Sequence, residues 1–230
     1  MLKAIIFDFD GIIADTESIH LEAFKEVLKN REIDLTDKDY YNKYLAFDDR
    51  TLFETIFNEN GIEYSESLIK DLIEVKHEIV DQLFRSKVNL FPGTTDFIEL
   101  MNDKYVLSIA SGALKPEIEF ILNKFELFSY FQNITSAEEV IKCKPDPETF
   151  IKSLQKINFE EDPVILPSEC LVIEDSVSGV SAAKSADMQC IAITNSYDRE
   201  TLKNADLVVD SFKEIDNNAI EEINRLSQTL

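Results

Sequence analysis

Short apolar runs that stop abruptly at polar residues constrain this chain most. Ala4–Phe7, Tyr105–Ala110 and Cys170–Ile173 are brief, rich in β-branched side chains, and end at Asp8, Ser111 and Glu174-Asp175. Runs of that length and character suit strands buried on both faces. Asn133–Thr135, Gln189–Ile193 and Asp206–Val209 supply further strands. Helical patterns separate them: Thr94–Asn102, Pro116–Phe125, roughly Glu148–Ile157, a stretch from Ser176 through Ala186, and a closing helix Asn218–Leu226. Strands alternating with helices imply right-handed crossovers, hence an α/β fold with a doubly wound parallel sheet.

Residues 16–87 read differently. Asp15 or Thr16 can cap a first helix, and the text then stays helical, with no strongly apolar strand. Leu21, Phe24, Val27 and Leu28 share one face, as do Leu52, Ile56 and Phe57. A third block holds Leu68, Leu72, Ile73, Val75, Ile79 and Leu83, and Asn60-Gly61 and Tyr64–Ser67 break the helices. Phe91-Pro92-Gly93 then marks a boundary. The expected organisation is an α/β core from residues 1–15 and 88–230, with a helical bundle of residues 16–87 inserted after the first strand.

Composition narrows the partners. With 44% hydrophobic residues and 16 Phe in 230 residues, the chain can bury a proper core. Its formal net charge of −22 argues against nucleic acid and against anionic membrane surfaces. A small anion can still bind in a locally positive pocket, because remote charge is screened beyond ~8 Å. No run approaches ~20 apolar residues, and the N-terminus enters a strand without a basic-then-apolar leader pattern. Cys143, Cys170 and Cys190 match no metal or redox spacing, and the last two read as small core residues. A cytoplasmic location fits these features; nothing in the pattern specifies an oligomeric state.

Asp8 and Asp10 flank Phe9 directly after the first strand. Alternating geometry points both to one side, where like charges need a shared proton or a cation between them. Gly11 suits a sharp exit with close backbone approach. Among 45 Asp and Glu such a pair arises readily by chance, so its weight rests on position and on partners. Ligands of open parallel sheets bind beyond the carboxyl ends of the strands, where Asp8, Asp10, Ser111-Gly112 and Glu174-Asp175 would all lie. Lys144 precedes a helix between the second and last of these.

That set suits phosphoryl transfer. A carboxylate ~4 Å from a phosphate dianion meets roughly 8 kcal/mol of repulsion at an effective dielectric near 20. Mg²⁺, a hard cation that takes carboxylates, phosphate and water, would offset it, with Asp8 and Asp175 as carboxylates. Lys144 adds positive charge, and Ser111 with the N–H groups of the turn at Gly112 suits phosphate oxygens. Asp10 is then left to act as general acid and base.

Asp8-Phe9-Asp10-Gly11, Ser111, Lys144-Pro145 and Glu174-Asp175-Ser176 with Gly179-Val180 resemble the four signature motifs of the haloacid dehalogenase superfamily. Their order is similar to that of its capped phosphatase and β-phosphoglucomutase branch, over essentially the whole chain. The resemblance implies a Rossmann-like core under a helical cap that closes over the site and excludes water. It implies Asp8 as nucleophile through an aspartyl-phosphate and Asp10 as acid/base. Mg²⁺ would be bound by Asp8, the Asp10 carbonyl and Asp175, with Ser111, Gly112 and Lys144 on the phosphate and Glu174 behind the metal.

Departures sharpen the expectation. The superfamily's dehalogenases lack an acid at the position of Asp10. Ile12 replaces a commoner Thr or Val, and Asp187 stands where many relatives carry Gly. His20 and Lys76 could match cap residues of the mutases, but only an offset Arg50 follows Asp48-Asp49. Ser111-Gly112-Ala113-Leu114-Lys115 also lacks the mutases' Ser-Lys-Asn run. Otherwise His20 and His77 read as cap-surface residues, Arg50 as solvated or paired with a neighbouring acid, and Lys115 as a first-turn lysine. The expected activity is hydrolysis of a small phosphorylated metabolite such as a sugar phosphate. The alternatives are a sugar-phosphate mutase and a non-enzymatic, receiver-like phosphoacceptor.

Overall fold

The computed structural model describes residues 1–45 and 47–226. The chain divides into two compact units, Met1–Asp15 together with the chain from Leu90, and Thr16–Asn89.

The first unit begins with β1 (Ala4–Phe7), every residue of which is buried. In the second unit, α1 (Glu17–Lys29), α2 (Asp37–Asp39), a π-helical turn Tyr40–Tyr44, α3 (Asp49–Glu59) and α4 (Glu66–Lys87) follow. Asp48 and Ser65 cap α3 and α4 by accepting the Thr51 and Leu68 amides at 2.7 and 3.2 Å. Phe24, Leu28, Leu52, Phe53, Phe57 and Ile69 form the apolar centre of this unit. The expected buried face of α4 is corrected: Ile69, Leu72, Lys76 and Val80 are buried, whereas Val75 is 44% exposed. A lysine therefore occupies a position of the inward stripe.

Back in the first unit, α5 (Thr94–Asn102), β2 (Val106–Ala110), α6 (Lys115–Lys124), β3 (Asn133–Thr135) and α7 (Glu148–Glu160) precede β4 (Cys170–Glu174). α8 (Val177–Ser185), β5 (Gln189–Ile193), β6 (Leu207–Val209) and α9 (Asn217–Leu226) complete it. Among the described residues the six strands are all parallel, in the order β3-β2-β1-β4-β5-β6. From β1 the chain winds outward to β2 and β3, then returns to β4 on the other side. The order therefore reverses between β1 and β4, the place where such sheets open a crevice at their carboxyl ends.

Both faces of β1 are covered, which is why its run has no polar alternation. Ala4 and Ile6 pack with Phe150, Val172 and Val180. On the opposite face Phe7 meets Phe97 and Phe131 edge-on, at 6.0 and 5.8 Å between ring centroids. Each such side chain contributes on the order of 1.5–3 kcal/mol by leaving water. Asp187, with φ +57, takes the left-handed conformation just beyond α8 that glycine often supplies. Cys170 and Cys190 are buried and Cys143 is exposed.

Candidate functional site

β1 and β4 run level, Phe7 opposite Ile173, so their next residues emerge together. The Asp8 amide extends the ladder by donating to the Ile173 carbonyl at 2.9 Å. Asp8, Glu174 and Asp175 each place a carboxylate oxygen within 4.8 Å of the others, and all three are buried. Lys144, its side chain 12% exposed, spans the group: Nζ donates to Asp8 Oδ1 at 2.8 Å and to Glu174 Oε1 at 2.7 Å.

Glu174 has no oxygen to spare. Its Oε2 accepts the Asp175 amide at 2.9 Å, the Ser176 amide at 2.8 Å and the Ser176 hydroxyl at 2.9 Å. Ser176 in turn caps α8 by accepting the Gly179 amide at 3.0 Å. A Cβ built on Gly179 would fall inside the Glu174 carboxylate. Gly179→Ala, which would ordinarily stabilise a helix interior by ~1 kcal/mol, should here destabilise by about 2–3 kcal/mol through overpacking. A urea midpoint equal to or above the parent's would contradict that packing.

Gly11 does for Asp175 what Gly179 does for Glu174. It has φ +80, and a Cβ there would overlap the Asp175 carboxylate. The turn it belongs to is tied by the Gly11 amide to the Ala14 carbonyl at 3.0 Å, with Asp10 half-buried beside it. One strand away, the Ser111 amide donates to Thr135 O at 2.9 Å, while its Oγ accepts the Ala113 amide at 2.9 Å. A Cβ on Gly112 would meet nothing within 4 Å, so the backbone there lies open to a ligand.

Charge in this cluster is unbalanced. Burial raises the Asp8 carboxyl to about 7, against the pull of Lys144 and with further push from Glu174. Burial, Glu174 and Asp8 likewise raise Asp175 well above the carboxylate range. Burial alone would weaken the hold of Lys144 on its proton, but Asp8 and Glu174 more than reverse this and keep it charged. One ammonium cannot neutralise three clustered carboxylates. A divalent cation suits the donors present, hard oxygens of buried carboxyls whose raised affinity for protons reflects burial and that shortfall of positive charge.

Two residues that sequence reasoning passed over join this group. Ser196 Oγ donates to Asp175 Oδ2, and Asn195 Nδ2 donates to the Gly11 carbonyl at 2.6 Å. The signal available was the one used elsewhere, a polar stretch directly after an apolar strand, here Thr194-Asn195-Ser196 after Ile193.

The inserted unit has its own polar cluster. Lys76, 2% exposed, places Nζ 2.8 Å from Asp49 Oδ1 and 2.8 Å from His20 Nδ1. It also stands 4.7 Å from the centre of the Phe24 ring. His77 reaches Asp49 Oδ2 at 2.9 Å from a largely exposed position. The reading of His20 as a surface residue is corrected: it is packed against Lys76 and edge-on to Phe84. Arg50 pairs with Glu54 at 3.1 Å, and Lys115 faces Glu119 at 3.9 Å.

Burial and the Lys76 charge lower His20 to about 4, against the opposing effect of Asp49. The unfolded chain, with histidine near 6.5, then binds the proton more readily than the folded one, so acid favours unfolding. Relative to His20→Gln, the parent should lose about 1.4 kcal/mol of stability per pH unit as pH falls from 6.5 toward 5. Parallel curves for the two proteins in urea titrations would contradict this.

The sequence model described as haloacid dehalogenase-like hydrolase matches residues 5–193. A phosphorylated carbohydrates phosphatase of Thermotoga maritima is 29% identical over 192 residues, covering 83% of this chain and 84% of that protein. A beta-phosphoglucomutase of Bacillus subtilis is 28% identical, covering 90% and 89%. The crystal structure of CbbY from Rhodobacter sphaeroides in complex with phosphate superposes with a TM-score of 0.74. It has 25% identity and covers 94% of this chain and 96% of that one.

Proposed function

Because the chain belongs to the haloacid dehalogenase-like hydrolase family, we propose that it is a Mg²⁺-dependent phosphatase of small phosphorylated metabolites, sugar phosphates foremost. The observation that carries this reading is the buried Asp8–Lys144–Glu174–Asp175 cluster at the carboxyl ends of β1 and β4. Asp8, Asp175 and the main-chain carbonyl of Asp10 would hold the ion. When bound, Mg²⁺ supplies the positive charge that lets a carboxylate approach a phosphate dianion.

The protein's own groups do the rest. An oxygen of Asp8 forms a bond to phosphorus as the bond to the substrate oxygen breaks, and Asp10 gives that oxygen a proton. The resulting aspartyl-phosphate is cleaved by water, whose proton Asp10 takes, releasing inorganic phosphate and restoring Asp8. Lys144 and the Ser111–Gly112 turn hold the phosphate oxygens throughout. Glu174, fully engaged by Lys144 and by the Asp175 and Ser176 amides, holds this frame in register and is not itself a ligand.

The Bacillus subtilis relative and the Ser111–Lys144 pair also suit a sugar-phosphate mutase. Hydrolysis is favoured because Ser111-Gly112-Ala113-Leu114-Lys115 lacks the mutases' Ser-Lys-Asn run, and within the inserted unit Lys76 is engaged by Asp49 and His20 and Arg50 by Glu54. Among the described residues no helix is long and apolar enough to cross a membrane, which suits a water-soluble metabolite and a cytoplasmic role.

The test is phosphate release from a panel of sugar phosphates and an aryl phosphate, with Mg²⁺ and with a chelator. Release that depends on the metal is expected. No release from any member, or release indifferent to chelation, would remove the proposal. Isomerisation of a hexose phosphate accelerated by a bisphosphate would replace it with the mutase.

A further inference from the structure

The segment after β5 reaches the candidate site with consecutive residues, each tied to a different element. Thr194 anchors it to the sheet edge: its amide donates to Val209 O at 3.0 Å and its hydroxyl to Asp210 Oδ1 at 2.8 Å. From that anchored base, the Asn195 side chain donates to the carbonyl of Gly11, at 2.6 Å, in the turn that carries Asp10. Ser196 donates its hydroxyl to Oδ2 of Asp175, whose side of contact with Gly11 is closed by backbone.

We infer that Ser196 and Asn195 are positioning residues that set Asp175 and the Asp10–Gly11 turn for the divalent cation. The inference rests on the Mg²⁺ reading given above. Asp175 is 3% exposed and lies beside two other carboxylates, so repulsion from Glu174 and Asp8 pushes it outward against the pull of the Lys144 charge. Left alone, it would rotate away from Asp8 and Glu174. The Ser196 hydroxyl removes that option by fixing one oxygen, which leaves the other for the metal. Partners of this kind typically change metal affinity 10–100-fold when removed. Asn195 does for the β1 turn what Ser196 does for the β4 end, so one loop holds both sides of the crevice at the switch between β1 and β4.

Calorimetric titration of the full chain with MgCl₂, without substrate, tests this. Ser196→Ala should weaken Mg²⁺ binding about 10–100-fold. Ser196→Thr, which keeps the hydroxyl, should stay within about threefold, and Asn195→Ala should weaken binding by a smaller factor. Metal-free Ser196→Ala should melt somewhat below the parent, because a buried carboxylate oxygen loses its donor, but the rise in thermal midpoint that MgCl₂ adds should also be smaller than in the parent, a loss that a merely structural serine would not give. In phosphate release the same variant should need more Mg²⁺ for half-saturation yet reach a similar kcat at saturating metal.

Parent-like affinity in Ser196→Ala overturns the inference, as does a parent that binds no Mg²⁺ or a loss of affinity that Ser196→Thr shares in full. If Ser196→Ala does not fold, Asn195→Ala decides, with parent-like affinity again overturning it. A parent that binds Mg²⁺ but cleaves no phosphate ester would remove the phosphatase reading and leave this inference standing. Active parent enzyme with an unaltered Ser196→Ala affinity would do the reverse.

Discussion

Asp8→Asn should reduce Mg²⁺-dependent turnover of an aryl phosphate by at least about 10⁴-fold if the proposed mechanism holds, because a carboxamide cannot form the proposed phospho-intermediate. An aryl phosphate is the right substrate, since its good leaving group needs little of the proton proposed to come from Asp10 and isolates the proposed nucleophilic step. The substitution keeps the size of the side chain, and an amide oxygen can still accept from Lys144 Nζ. It also removes one of three clustered carboxylates, which should leave the fold intact or firmer. The check is a pair of measurements, steady-state phosphate release and a urea titration of the same preparation. Activity within tenfold of the parent, in a folded variant, would exclude Asp8 as nucleophile.

Lys144→Met should cost the metal-free protein about 3–5 kcal/mol of stability, the usual penalty for leaving a buried charge without its partner. Lys144 Nζ is the positive group shared by Asp8 and Glu174, and Glu174 is 0% exposed. Methionine keeps an apolar stem of similar length and loses only what the ammonium itself makes, its ion pairs and its place 4.7 Å from the centre of the Phe150 ring, so the loss reports charge rather than packing. The sign with pH follows from the direction of the shifts. Burial and crowding already hold the Asp8 and Asp175 carboxyls above their unfolded values, and removing the ammonium pushes them further up. The folded variant then binds more protons than its unfolded chain, so its stability falls as pH rises. Urea titrations should show a larger deficit at pH 8 than at pH 6, with Mg²⁺ recovering part of it by binding only the folded form. A deficit below about 1 kcal/mol at pH 8 would show that the carboxylates do not depend on Lys144.

The α/β class and the strand ends were legible because each is a local property. Ala4–Phe7 is apolar throughout since both its faces are covered, and the break to Asp8 is visible without any knowledge of its neighbours. The same holds for Ala110 to Ser111 and for β4 into Asp175. Parallel crossovers then oblige these ends to share one edge of the sheet, so the meeting of Asp8 with Glu174 and Asp175 followed from pattern and topology together.

What tertiary structure alone decided is who partners whom. A polar residue in a helical pattern reads as outward, yet Lys76 lies inside because Asp49 and His20, from other helices, supply the charge and the acceptor that burial demands. Glu174 and Asp175 are adjacent and chemically alike. Only the amides and hydroxyl of the β4–α8 turn, with Lys144, claim both oxygens of the first, while Ser196 takes a single oxygen of the second. Periodicity reports how often a side chain turns toward the interior. It carries no information about a hydrogen bond from a residue far along the chain, because that bond depends on the distance between elements and not on the spacing within one.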